Sequence, residues 1–248
     1  MTTETTWRRT RSADRASENP GEPSEAELVA LLLTGDRDAF ELLMRKNNQR
    51  LFRVARSIVL EDAEAEDVVQ TAYLAAFRGV ATFAGRSSVA TWLTRIVINE
   101  ALARRRERLR YGRFASAYDL ADELSDRASN PEDKASLQEL TRLTESALDG
   151  LPANYRLVLM LRQVEGLSGE ETAASLGVTE EVVRVRLHRA RAMLRDKLVG
   201  FDPNASSLRA FGFGGERCNR IVDRVLTRTT VPAEARVAGY TGDHSYRS

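Results

Sequence analysis

The sequence is poor in the side chains on which most enzymes rely. Among 248 residues there is one cysteine, Cys218, and there are two histidines, His188 and His244. A single thiol excludes an internal disulfide and a cysteine-built zinc cluster. Two histidines remove most histidine-based metal and triad chemistry, so no enzyme activity and no cofactor are expected. Long apolar runs are also missing: runs such as 28–33 and 157–161 fall far short of the ~20 residues a membrane-spanning helix needs. Arg8, Arg9 and Arg11 have no apolar stretch behind them, so no secretory signal is expected. A soluble, cytoplasmic protein without membrane insertion is the expectation. Excess charge of one sign is absent too, since 37 basic and 36 acidic residues leave a formal net charge of +1. Affinity for a polyanion must therefore come from local clustering. Glycines 212, 214 and 215 follow no strand and lack a Lys-Ser/Thr pair, which excludes a phosphate-binding P-loop.

What is present is helical periodicity. Residues 1–23 are Thr, Ser, Glu, Arg and Pro with little to bury, and are expected to be a disordered tail. Ser24 and Glu27 then form a capping box before Leu28, Leu31 and Leu32. After Gly35 and Asp36, a longer helix carries Phe40, Leu43, Met44, Asn47, Leu51, Val54, Ala55 and Ile58 on one face. Asp62 is placed to cap a third helix, with Ala65, Val68, Val69, Ala72, Ala75 and Ala76 inward and Gly79 at its end. Ser88 opens a fourth, with Val89, Trp92, Leu93 and Ile96. These segments predict a four-helix unit over 24–110.

Residues 111–135 are mostly polar and acidic and lose apolar periodicity, as a flexible linker does. A second helical unit is expected over 136–199, with Pro152 as the first residue of one helix. Residues 200–248 form an extension with one short amphipathic segment containing Cys218, Ile221, Val222, Val225 and Leu226. The fold class is all-α, two small helical domains joined by a flexible linker, the second containing a helix-turn-helix.

That helix-turn-helix spans 168–195. Ser168 and Glu171 form a second capping box, Gly177 supplies the left-handed turn, Val178 plugs the interhelical angle and Thr179 caps the next helix. On that helix Val183, Leu187, Ala190 and Leu194 make one narrow apolar stripe. Arg184, Val185, His188, Arg189, Arg191 and Arg195 lie on its other sides. One stripe to hold the scaffold and a face of guanidinium groups is how a major-groove recognition helix is built.

The first unit separates its charges. The third helix opens with Glu61, Asp62, Glu64, Glu66 and Asp67 and has no basic residue until Arg78. That exceeds what the helix dipole uses, and suits a protein partner with a basic surface. Arginines 104, 105, 106, 108, 110 and 113 crowd the end of the fourth helix, a phosphate-contacting pattern. Phe83, Trp92 and the loop around Gly85 set aromatics and small polar groups beside it, a mixture that holds unpaired bases. On residues alone, a conventional helix-turn-helix regulator binding an operator as a dimer stays open.

Three blocks in order resemble a bacterial RNA polymerase sigma factor of the sigma-70 family, in its extracytoplasmic-function (ECF) group. They are DAEAEDVVQTAYLAAFRG at 62–79, FAGRSSVATWLTRIVINEALARRRER at 83–108, and LPANYRLVLMLRQVEGLSGEETAASLGVTEEVVRVRLHRARAMLR at 151–195. The resemblance implies a protein that binds core RNA polymerase and reads the −10 and −35 promoter elements. Asp62, Glu66, Asp67 and Gln70 would meet the clamp of the largest polymerase subunit, and the flap of the second-largest subunit is a further implied contact. Gly85, Arg86, Ser87, Ser88 and Val89 would hold a flipped −10 base, with Arg95 and Asn99 on the adjoining helix face. Arg184, Val185, His188 and Arg189 would enter the −35 major groove. An anti-sigma protein is a further implied partner. Val185 departs from the serine common in the family, Asn47 from an aromatic, and the extension from the minimal two-domain pattern. Two weak DNA-reading units gain affinity when polymerase sets their spacing. The free protein is therefore expected to bind promoter DNA poorly, with its two units packed together.

Overall fold

The computed structural model describes residues 23–85, 87–115, 132–198 and 210–229. The expectations for residues 1–22, Arg86, the middle of the linker at 116–131, and 199–209 and 230–248 lie outside the described residues. Within them there are helices and no strand. Helix α1 (Glu25–Thr34) starts at the expected capping box: Ser24 Oγ accepts from Glu27 N at 3.3 Å, and the Glu27 carboxylate accepts from Ser24 N at 2.8 Å. It stops at Gly35, whose φ of 79° lets its N–H turn back to Leu31 and Leu32.

Helix α2 (Arg37–Val59) is the central strut, and its apolar stripe is buried as its spacing predicts. Asn47, within that stripe, is accommodated by donating Nδ2 to the Leu43 carbonyl at 2.8 Å. Helix α3 (Asp62–Gly79) packs across it. Tyr73 is fully buried there, donating its hydroxyl to the Met44 carbonyl at 3.2 Å and meeting Phe40 edge-on. Ala75, expected inward, is exposed. Asp62 is the first helical residue rather than the cap; its carboxylate is drawn sideways to Arg56 (2.9 Å) and Arg217 (2.7 Å). Gly79, at φ −98°, passes the chain into a 3₁₀ turn, Val80–Thr82, instead of ending the helix in the left-handed form.

Helix α4 (Val89–Ala115) is capped by Ser88, whose Oγ accepts from Thr91 N at 3.2 Å, and buries Val89, Leu93, Val97, Ile98 and Ala101. It continues into the stretch read as linker, and α5 (Glu132–Asp149) begins before that stretch ends. Pro152 serves as N-cap of α6 (Ala153–Leu159), one position before its expected place, because its carbonyl accepts from Arg156 N at 3.0 Å. A π-helical segment, Met160–Val164, leads to α7 (Gly169–Leu176) and α8 (Glu180–Lys197).

The two units share a core: Leu148, Leu157, Leu159, Met160 and Leu161 join the apolar cluster built by α1–α4. Arg156 crosses between them. Its buried guanidinium donates to the carbonyls of Ser57, Leu148, Asp149 and Leu151, and burial lowers its pKa to about 10. The extension also packs. Helix α9 (Gly215–Thr229) lies on α2 and α3 with Ile221, Val222, Val225 and Leu226 buried.

Candidate functional site

The helix-turn-helix has the geometry its residues predict. Ser168 and Glu171 close the capping box at 2.7 and 3.0 Å. Gly177 turns at φ +63°, and Thr179 Oγ1 accepts from Val182 N. Val183 and Leu187 pack with Val158 and Ala173 in a small core of their own, with Val178 lodged against it, while Ala190 and Leu194 join the main cluster. The opposite face carries Arg184, Val185, His188 and Arg189, all exposed. Arg184 meets Glu181 at 3.7 Å with both side chains about three-quarters exposed, a pair too solvated to hold the arginine in place. Arg189 donates to the Tyr155 hydroxyl at 3.4 Å. Val185, 42% exposed, is an apolar patch amid this charge.

The residues read as −10 contacts divide into two groups. Gly85 and Ser87 are exposed and Ser88 is half-buried, but Val89 is buried, with its N–H taken by the Glu25 carboxylate of α1. Phe83 and Trp92 stack at a tilt behind the loop, 5.3 Å between ring centres. Arg95 and Asn99 lie one helical turn apart on α4. They face a cleft of about 250 Å³ whose far wall includes Ser175, Gly177 and Arg186 of the helix-turn-helix. The face of α4 offered for one DNA element thus looks at the motif offered for the other.

The acidic group on α3 is brought together, and it is covered. Glu66 and Gln70 are 7% and 4% exposed, whereas Asp62 and Asp67 remain half-exposed beside them. The cover is α9. Arg217 pairs with Asp62 (Nη2–Oδ2 2.7 Å) and Glu66 (Nε–Oε1 2.9 Å), and its guanidinium lies 4.2 Å above the Phe52 ring. Arg220 reaches Glu66 at 2.9 Å and Arg224 approaches Asp67 at 3.9 Å. Gln70 Nε2 is buried with no hydrogen-bond partner among the described residues. Beyond the ion pairs, Arg45 donates to Asn219 at 2.9 Å and Asn48 Nδ2 lies 3.2 Å from Cys218 Sγ. The sequence reading did not include Arg217, Arg220 and Arg224 among the functional residues. Their spacing of three and four, alongside the apolar stripe of α9, was the available signal.

Comparison with known proteins gives these sites a context. The family model for sigma-70 region 2 matches residues 43–111, and that for sigma-70 region 4 matches 141–194. The ECF RNA polymerase sigma factor SigM of Mycobacterium tuberculosis is 36% identical over 182 residues, covering 73% of this chain and 87% of that protein. The ECF RNA polymerase sigma-E factor of Escherichia coli K12 is 31% identical over 182 residues, covering 69% and 92%. Among solved structures, the sigma factor RpoE in complex with the anti-sigma factor NepR, from Bartonella quintana, superposes with a TM-score of 0.53 at 27% identity, over 64% of this chain and 95% of that one. CnrH in complex with the cytosolic domain of CnrY gives 0.52 at 28%, over 69% and 95%. With both conserved regions matched in order and most of each relative spanned, the chain belongs to the sigma-70 family, in its extracytoplasmic-function group.

Proposed function

We propose that this protein binds core RNA polymerase, directs it to promoters carrying a −10 and a −35 element, and assists opening of the −10 duplex. The region 2-like unit, 24–110, supplies the polymerase and −10 contacts, and the region 4-like unit, 136–199, the −35 contacts, with 111–135 as the connection. Arg184, Val185, His188 and Arg189 read the −35 major groove, Val185 replacing a polar contact with an apolar one suited to a thymine methyl. Gly85, Arg86, Ser87, Ser88 and Val89 frame the −10 base pocket, with Arg95 and Asn99 beside it. Asp62, Glu66, Asp67 and Gln70 face the polymerase clamp. Phosphoryl transfer belongs to the polymerase, so the chain itself acts as a non-enzymatic, cytoplasmic specificity subunit. An anti-sigma protein is a partner in keeping with the related complex of RpoE with the anti-sigma factor NepR.

The observation that carries this reading is the exposed basic face of α8, mounted on a capped helix and a left-handed glycine turn. Run-off transcription from genomic fragments with core polymerase tests it. Defined start sites that depend on the added protein are expected, and their absence overturns the reading.

A further inference from the structure

We propose that α9 is a built-in occupant of the polymerase-facing surface of α3, a basic amphipathic helix that core polymerase must displace before it can bind. The inference rests on the assignment of that surface to polymerase given above.

Three observations converge on it. First, α9 is seated rather than merely adjacent. Ile221, Val222, Val225 and Leu226 are at most 6% exposed, which is the packing of a core element. Second, its arginines are matched to the carboxylates beneath them, Arg217 and Arg220 to Glu66, Arg217 also to Asp62, and Arg224 to Asp67. The group that would meet a basic partner is thus already met by one. Glu66, held by Arg217 and Arg220, is 7% exposed, and no second chain can reach it without moving what covers it.

Third, the approach to α9 is anchored across both units. The Phe211 N–H donates to Glu145 on α5 at 2.6 Å, Arg53 on α2 donates to the Phe211 carbonyl at 3.3 Å, and Arg56 sits 4.6 Å over the Phe211 ring. Phe213 then packs on Phe52 at 5.5 Å. A cover tethered to its own target acts at high effective concentration, so modest contacts suffice to hold it closed. Polymerase affinity is reduced by the fraction of molecules that are uncovered. Displacement also releases the ties between α2 and α5 that pass through Phe211.

The single native thiol makes this testable in the whole protein. Asn48 is buried against Cys218, so Asn48→Cys places a second thiol beside it, and no other cysteine competes. Under mild oxidant the two should bridge and lock α9 down. If the bridge does not form, the arginine variant below decides, and its affinity equal to wild type overturns the proposal. In titrations with fluorescent core polymerase, the oxidised Asn48→Cys protein should bind weaker by roughly tenfold or more than its reduced form, and a reductant should restore binding. The Arg217→Ala/Arg220→Ala protein, with the apolar seat intact, should bind tighter than wild type by roughly threefold or more. Equal affinity of locked, reduced and wild-type protein overturns the cover while leaving the sigma-factor reading in place. If no form binds, the arginine variant included, the assignment of α3 to polymerase fails and the cover with it.

Discussion

Arg56 on α2 and Asp149 at the end of α5 form a two-pronged ion pair, with Nη1–Oδ1 at 3.0 Å and Nη2–Oδ2 at 2.9 Å. It ties the region 2-like unit to the region 4-like unit where both are partly buried, the setting in which charge-assisted bonds count. Asp149→Asn should lower the unfolding free energy by about 1–3 kcal/mol, measured by urea denaturation. It should also loosen the packing that sets Arg95 and Asn99 opposite the helix-turn-helix. Fluorescence energy transfer between dyes on α4 and α8 should report a larger separation. An unchanged distance and stability would remove this pair as a tie between the units.

On α8, neither Arg184 nor Arg189 is fixed by a strong partner among the described residues, so in the proposed role each is available to a guanine edge. Arg184→Ala and Arg189→Ala should each weaken binding of the polymerase complex to its preferred −35 sequence by about 1–3 kcal/mol, if the contact is bidentate. Competition among −35 variants checks this. An arginine touching only phosphate would lower affinity evenly across variants.

The turn of the motif is a question of backbone alone. Gly177 has φ +63°, and a Cβ placed there meets nothing within 4 Å among the described residues. Gly177→Ala should therefore destabilise the protein by about 1–2 kcal/mol through the left-handed conformation without a clash. The midpoint of chemical unfolding should fall while −35 preference is kept. A change in preference would show that the angle between α7 and α8 depends on the glycine for more than its conformation.

Much of this was legible in the sequence because the determinants are local. Capping boxes at Ser24 and Ser168, the helix break at Gly35, the left-handed Gly177, and the stripes on α2 and α8 each involve residues within one or two turns. Tertiary pairing was not legible. Asp62 has the composition of an N-cap, yet Arg56 and Arg217 pull it away, and the second lies 155 residues along the chain. Tyr73 was not singled out, because the Met44 carbonyl that gives its hydroxyl a buried partner lies on another helix. The acidic group on α3 was visible and its own chain's answer to it was not. Spacing along α9 shows which arginines share a face, but not what that face meets.

One carboxylate gives a pH dependence of known sign. Burial pushes the Glu165 carboxyl above its usual value of 4.5, even though Arg53 and Arg50 approach it at 3.5 and 3.6 Å and pull the other way. A value higher in the folded than in the unfolded state means that the ionised form opposes folding. The favourable contribution is complete below the unfolded value and is lost as pH rises through the folded one. Glu165→Gln should raise the melting temperature at neutral pH, and the gain should vanish by about pH 4. A gain that persists in acid would place its origin elsewhere.

The seat of α9 also bears on how the chain tolerates shortening. A version ending after α8 would keep every residue proposed above to contact DNA, yet strip the roof from Phe52 and the furrow between α2 and α3. Oily surface of that kind seeks a substitute, and the nearest one in a concentrated solution is the same furrow on another molecule. The trimmed protein would trade a solitary life for self-association unless the furrow were repainted with polar side chains. The tail and the groove beneath it therefore have to change together.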